Sequence, residues 1–452
     1  MIVKNEEKHI RQALSWGKGI VAEQIVVDTG STDQTVEIAE KMGAKVYHFP
    51  WIGDFSAAKN FAISKAGCEW IAFLDADEYF LKEDAKKLPH YIEKLQNTDY
   101  EGILTGWVHL NNEGEIMAIE AQIRLFRCRP DLRYHRRIHE QLKVEGIRSP
   151  RLWDGTKELS IFHTGYGEAE SQKKRESRRN LNLILAELES DPDNYEMLGY
   201  LGNEYESLKE WDAAEAAYRK AVARIPKELY GVYDLSTSGV VFRLLELLAV
   251  WKGGGADSAK KEEKTAAGQR EEELVSVYRM AISRWPEDGD FDYILGRYYA
   301  NHGNYQLGEQ HIRQAITILE TYGTALRSSL VSSKIMEVYE LLAICCFNNG
   351  NLAECVRLAT ALLKENAFLM STLVIMLCAF CRDMERLGKG REGAQEVAAM
   401  LGNSFYDFRD LKSRLFVLRA AMSAGYEELV MVIREMFTEE ELRQVDAALT
   451  KG

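Results

Sequence analysis

Two aspartates stand two residues apart in Phe73-Leu-Asp75-Ala-Asp77-Glu78. An apolar run, Glu69-Trp-Ile-Ala-Phe-Leu74, leads into them and reads as a strand. If the strand continues through the pair, both carboxylates point the same way. At the end of a parallel strand that direction is the ligand crevice. Two hard oxygen donors there suit Mg2+ or Mn2+ carried by a diphosphate, which the metal would neutralise as it departs. The competing reading is a helix N-terminus with acidic first-turn residues, because Glu78 and Glu83 follow. Asp-x-Asp alone is a weak motif.

Other segments add to it. In Gln24-Ile-Val-Val-Asp28-Thr-Gly-Ser31-Thr-Asp33 a β-branched run ends in an Asp and a small-residue turn. Asp28 is placed to accept a hydrogen bond from a uracil-type base, while Ser31 and Asp33 read better as helix caps. Asp54-Phe-Ser-Ala-Ala-Lys59-Asn60 opens an amphipathic helix with Lys59 and Asn60 at its polar edge. Lys59 is either a nucleotide contact or a solvated lysine. Arg137-Ile-His139-Glu140 and Phe162-His163-Thr-Gly-Tyr166 follow. A displacement at a sugar carbon needs a base near the acceptor, and Glu140 is the candidate, with His139 second. The ordinary alternatives are a strand-end His and a carboxylate paired with Arg136 or Arg137. Trp107 and Trp153 fit sugar stacking and core packing equally well.

These residues need elements to hold them. Short apolar runs alternate with helical patterns through the first 100 residues: strands at 24–28, 43–49 and 69–75, helices at 35–42 and 55–66. That alternation argues for a parallel or mostly parallel sheet. Strands at 103–109 and 116–126 flank the turn Asn111-Asn-Glu-Gly114 and predict a hairpin. From Ser171 on, the pattern is helical and repeats itself. One copy carries Leu201, Gly202, Tyr205, Ala214, Tyr218, Ala221 and Pro226 at tetratricopeptide spacing. A second carries Leu295, Gly296, Tyr299, Gly308, Ile312 and Ala315. A weaker third carries Ala343, Cys346, Cys355 and Leu362, and a half copy Tyr278, Ala281 and Pro286 after an irregular helix at 240–251. Such repeats stack into a superhelix with a concave face. A Gly-, Ala-, Lys- and Glu-rich stretch at 252–270 predicts a mobile loop. The basic run Lys173, Lys174, Arg175, Arg178, Arg179 reads as a solvated helix face, with phosphate or acidic-acceptor contact the minority reading. The apolar residues 411–436 either close the solenoid or form a homodimer.

Composition sets the class. The 452 residues carry a net charge of −13, with 46% hydrophobic and 28% charged residues, a folded and acidic chain unsuited to generic nucleic-acid binding. Seven Cys at irregular spacing predict reduced thiols and a cytoplasmic protein. Cys378-Ala-Phe-Cys381 lies in an apolar run and reads as core. With Lys4, Glu6 and Glu7 interrupting any apolar start, no signal peptide is expected, and no run of 18 apolar residues is present to span a membrane.

Taken in order, Met1-Ile-Val-Lys-Asn-Glu-Glu7, Val27-Asp-Thr-Gly-Ser-Thr-Asp33, Phe55-Ser-Ala-Ala-Lys-Asn60 and Leu74-Asp-Ala-Asp-Glu78 resemble the family-2 inverting glycosyltransferases of GT-A fold. In particular they resemble bacterial members fused to tetratricopeptide repeats, the sublancin-type peptide S-glycosyltransferases. The resemblance covers roughly the whole length. It implies an α/β nucleotide-diphospho-sugar transferase domain at 1–168 and an all-α repeat superhelix at 169–452. It implies that Val3, Asn5 and Glu7 wrap the nucleotide, Asp28 meets the base, Asp75 with Ala76 meets ribose or phosphate, and Asp77 binds the metal. His163 would be a further metal or phosphate ligand, as its counterpart is in several members of the fold. In such sequences several apolar residues precede the first motif, so the first strand here is expected to be short.

The expected activity is a metal-dependent inverting transfer from a UDP-linked hexose or N-acetylhexosamine to a Cys, Ser or Thr of a peptide or protein held by the repeats. Lys59 and the metal would stabilise the leaving UDP. Rival readings are a lipid or polysaccharide acceptor, an inactive repeat scaffold, and a nucleotidyltransferase, which would normally show a Gly-rich basic loop near its start.

Overall fold

Ile25–Asp28 forms β2, flanked in parallel by β1 (Ile2–Val3) and β3 (Lys45–His48). β1 is short, as expected. The computed structural model describes residues 1–111, 114–164, 178–250, 263–324 and 327–449, which fall into two compact units, Met1–Ala217 and Tyr218–Gly452.

In the first unit, helices α1 (Ile10–Ser15), α2 (Thr35–Lys41) and α3 (Phe55–Ser64) alternate with strands; α2 and α3 fall where the periodicity predicts, and α1 was not predicted. Asp54 caps α3, its carboxylate accepting from the Ala57 amide at 2.8 Å. The second sheet departs from the expected parallel order. It runs β4 (Trp70–Ala72), β7 (Ile116–Arg127), β6 (Gly102–Leu110), β11 (Ser160–His163), β5 (Glu78–Phe80), with β10 (Leu152–Asp154) added beside β6. The expected β6–β7 hairpin forms, and hairpin pairing is necessarily antiparallel, so the sheet is mixed. β8 (Leu132–His135) and β9 (Gln141–Val144) make a separate hairpin. Between the sheets lies an apolar core around Val27, Ile63, Phe73, Phe126 and Tyr134.

β4 ends at Ala72, so the strand does not continue through Asp75 and Asp77. Nor does a helix start there, because Glu78 opens β5. The aspartates sit in the turn between the two strands.

Three helices close the first unit: α6 (Arg179–Ser190), α7 (Tyr195–Ser207) and the beginning of α8 (Trp211–Arg224), after the short α4 (Lys82–Ala85) and α5 (Leu88–Leu95). The first compact unit includes these helices, because Leu181, Ile184 and Leu201 share a buried cluster with Ile138 of the β8–β9 loop. Of the basic run, Lys173, Lys174 and Arg175 lie outside the described residues. Arg178 pairs with Glu210, and the Arg179 guanidinium lies 5.3 Å from the Phe55 ring.

The second unit is helical. Glu263–Arg284 is one helix, so the last residues of the expected 252–270 loop are helical; the rest lie outside the described residues. The second repeat is the pair Gly289–Asn301 and Tyr305–Tyr322, the third Ile335–Asn348 and Leu352–Glu365. Their turns match: Gly303 and Gly350 adopt φ of 79° and 82°, and Asn304 and Asn351 then cap the following helices. A Cβ at Gly296 would stand 3.0 Å from the Ile312 backbone nitrogen, so this position needs glycine for the paired helices to touch. Residues of the 411–436 stretch, including Val417, Leu418, Leu429 and Ile433, pack into a core with Leu373 and Leu377. Leu411, Met422 and Met431 of the same stretch stay exposed. All seven cysteines are free, and Cys378 and Cys381 are half-buried.

Candidate active site

The Asp75–Glu78 turn is closed from inside. The Asp75 amide donates to Glu78 Oε2 at 2.9 Å, and the Glu78 amide to the Asp75 carbonyl at 3.1 Å. Glu78 is fully buried, a position that demands a partner. Arg124 of β7 supplies it: one guanidinium nitrogen lies 2.5 Å from Glu78 Oε1 and 3.0 Å from Asp75 Oδ2. Burial would raise Asp75, but the charges of Lys59 and Arg124 outweigh it and hold the carboxyl well below its ordinary range. Burial pushes Glu78 up against the pull of Arg124. Asp75 is thus ionised and fixed. Ala76 is buried behind it.

Asp77 faces His163. β11 pairs with β5 and β6 at once, setting His163 opposite Glu78 on one side and His109 on the other. His163 Nε2 then lies 3.3 Å from Asp77 Oδ2, and its Nδ1 lies 3.2 Å from Nδ1 of His109. The Thr164 amide donates to the Asp77 carbonyl and pins the turn. Burial lowers His109 below the usual imidazole value. One carboxylate oxygen and one imidazole nitrogen fit a divalent ion whose remaining positions belong to a diphosphate and water. Among the described residues no group of three or more His, Cys, Asp or Glu could hold an ion by itself, so the donor set fits a substrate-borne metal and not a protein-only cage.

Glu140 arrives from the β8–β9 hairpin. Helix α3 fixes that hairpin with four bonds. Asn60 exchanges two with the Tyr134 backbone, Ser56 donates to the Arg136 carbonyl, and the Phe55 amide donates to the Arg137 carbonyl. Arg136 and His139 both have positive φ, 79° and 50°, a conformation that costs non-glycine residues about 1–3 kcal/mol. Outside contacts hold the loop in it. Arg136 and Gln141 reach Glu196 of α7, the Arg137 amide donates to Glu187 of α6, and His139 stacks on Tyr200 of α7. Burial depresses the His139 imidazole to about 4, so it is neutral at physiological pH.

Lys59 sits between the two halves. It is neither at a polar edge nor solvated. Its side chain is 5% exposed, with Nζ 2.5 Å from Glu140 Oε1 and 3.7 Å from Asp75 Oδ1.

The first loop and the Asp28 turn zip together. The Asn5 carboxamide accepts from the Thr32 amide at 2.8 Å, the Asn5 amide donates to Ser31 Oγ, and Glu7 Oε2 accepts from the Gln34 amide. The Val3 carbonyl accepts from Thr29. Ser31 therefore ties the loops and is no cap. Asp33 accepts from the Thr35 and Glu7 amides, while the N-cap of α2 is Gln34. Asp28 is buried and accepts from the Gly30 and Ser31 amides. Burial opposes its charge, but those hydrogen bonds prevail and lower its pKa. Trp107 packs beside His109 and His163, with Arg124 over its ring. Trp153 lies away from the site against Tyr91 and Lys94.

Residues 1–151 match the family described as "Glycosyl transferase family 2". The N-terminal domain is a family 2 glycosyltransferase domain. Residues 168–228 match "Tetratricopeptide repeat", so the glycosyltransferase domain is fused to repeats. The chain is similar to the SPbeta prophage-derived glycosyltransferase SunS of Bacillus subtilis, at 29% identity over 50% of this chain and 53% of that one. It is similar to a TPR repeat-containing protein of Synechococcus elongatus, at 31% identity over 45% and 50%. It is also similar to an uncharacterized glycosyltransferase of Rickettsia felis, at 46% identity over 22% and 34%. The chain spans about half the length of the first two relatives and a third of the last. Among the described residues no helix is long and apolar enough to cross a membrane.

Sequence reasoning missed Arg124, Glu78 and His109 as parts of the candidate site. A signal was present for Arg124: it stands alone in Ile123-Arg-Leu-Phe126, and a charge in a buried strand has to be paired. His109 in Trp107-Val-His-Leu110 carries the same signal more weakly.

Proposed function

We propose that this protein transfers a sugar from a nucleotide diphosphate donor, with inversion, to a peptide or protein side chain. The observation that carries the reading is the placement of Asp75 and Asp77, beside His163, across Lys59 from Glu140 within a family 2 glycosyltransferase domain. Asp28, with the zipped loops of Val3, Asn5 and Glu7, forms the nucleotide end. Asp75 faces the ribose and phosphates, with Ala76 packed in the core behind it and not in the contact expected of it. Asp77 and His163 would hold a Mn2+ or Mg2+ ion, which supplies Lewis-acid neutralisation of the diphosphate.

The reaction is one in-line displacement. The acceptor oxygen or sulfur bonds to the anomeric carbon as the bond from that carbon to the diphosphate oxygen breaks. Glu140 takes the acceptor proton, and the nucleoside diphosphate leaves. His139 is neutral, so it also has the protonation state of a base, but its ring is covered by Tyr200. Glu140 is therefore preferred. A Cys acceptor would need less help, because its thiolate forms near neutral pH. Repeats favour an extended peptide acceptor, since stacked helical hairpins present long concave surfaces.

The test is mass spectrometry of turnover with Mn2+, a panel of UDP-sugars and candidate peptides. A hexose- or N-acetylhexosamine-sized gain on a peptide is expected. Asp77→Asn and His163→Ala are expected to weaken Mn2+-dependent UDP binding by about 10–100-fold. No nucleotide binding and no turnover would remove the reading.

A further inference from the structure

The surroundings of Lys59 differ from its expected role. Its ammonium is buried where three elements meet: α3, which carries it, the Asp75–Glu78 turn, and the β8–β9 loop. It lies 5.4 Å from the Phe73 ring centroid and 5.1 Å from that of Tyr134. Two carboxylates and two aromatic rings surround it, Glu140 in direct contact and Asp75 at ion-pair distance. Burial opposes its charge, yet Asp75 and Glu140 outweigh that and raise its pKa, so it stays an ammonium.

We propose that Lys59 is a positioning residue, a shared buried cation that holds Glu140 in register with Asp75, and not a ligand of the donor diphosphate. This rests on the reading of Glu140 as the base. The same helix provides both the charge and the anchor. Ser56 and Asn60 flank Lys59 and fix the hairpin backbone, and Lys59 fixes the carboxylate that the hairpin presents. Acceptor-side and donor-side carboxylates are thereby tied through one nitrogen. A shift of Glu140 would change the angle of proton removal, while Asp75 keeps its Arg124 contact at 3.0 Å and its bond to Glu78, and Asn5, Glu7 and Asp28 keep their own bonds, so the nucleotide seat stays built. Loss of Lys59 should therefore appear in kcat and not in donor affinity.

The experiment compares wild type, Lys59→Met, Lys59→Gln, Glu140→Gln and the Lys59→Met/Glu140→Gln double variant. UDP affinity is measured by calorimetry in MnCl2, and kcat by UDP release from the UDP-sugar that wild type uses. The expected result is a kcat loss of a hundredfold or more in Lys59→Met, with the UDP Kd within threefold of wild type. The double variant should be no slower than Glu140→Gln. A tenfold or larger weakening of UDP binding, or a kcat within threefold of wild type, overturns the proposal. If Lys59→Met does not fold, Lys59→Gln is read by the same criteria. If wild type uses no UDP-sugar, the functional reading fails, and the bridge is judged by Tm alone. Losses smaller in the double variant than the sum of the singles sustain it, and additive losses overturn it.

Discussion

Tyr200 lies flat on His139, with ring centroids 3.6 Å apart and planes within 7°. The contact joins the first repeat helix to the loop that presents Glu140. It also explains how His139 keeps a positive φ and stays uncharged.

Tyr200→Leu should keep the fold and lose the flat stack. A stacked pair contributes about 0.5–1.5 kcal/mol beyond its area, so Tm should fall by a few degrees. The loop should also wander, with kcat falling several-fold and UDP affinity unchanged. Paired thermal and kinetic measurements check this. Equal losses in kcat and UDP affinity would contradict it.

His139 gives stability a pH dependence with a definite sign. Burial lowers it from 6.5 to about 4 in the folded state. Between those values the unfolded chain binds a proton that the folded chain does not, so stability falls as pH drops from 6.5 toward 4. The contribution is complete above pH 6.5. Urea unfolding at pH 7.5 and 5 should show a smaller loss for His139→Gln than for wild type. An equal loss in both would show that other groups dominate.

Arg124 and Glu78 form a buried pair whose members cannot be removed singly. Arg124→Met leaves Glu78 fully buried without its counter-charge, and breaking such a pair costs about 3–5 kcal/mol. Arg124→Met/Glu78→Gln should recover much of that. Urea midpoints of the three variants test it, and a double variant no more stable than Arg124→Met would contradict it.

The α/β order and helix positions were legible because amphipathic periodicity survives in helices α2 and α3 and in strands β2 and β3. The β6–β7 hairpin was legible from its turn. What the sequence concealed was pairing. Nothing local to Asp75 announces Arg124, 49 residues away, and nothing local to Lys59 announces that Glu140 will reach it. The strand through Asp75 and Asp77 was over-extended, because the closing bonds between Asp75 and Glu78 bend the chain where the apolar run alone suggests continuation. Ser31 looked like a cap since caps and loop ties use the same hydroxyl acceptor, and only the fold shows that Asn5 is its donor.

The clamp of helices α6 and α7 on the Arg136–Glu196 side of the loop bears on interchangeability. A family match that ends at residue 151 invites the grafting of new repeat arrays onto the N-terminal domain. Cutting there would discard Glu187, Glu196 and Tyr200, and with them the supports of the loop that carries Glu140. A chimera that keeps the chain through α8 retains those supports, while a seam at the earlier position leaves the Glu140 loop with only its α3 anchors.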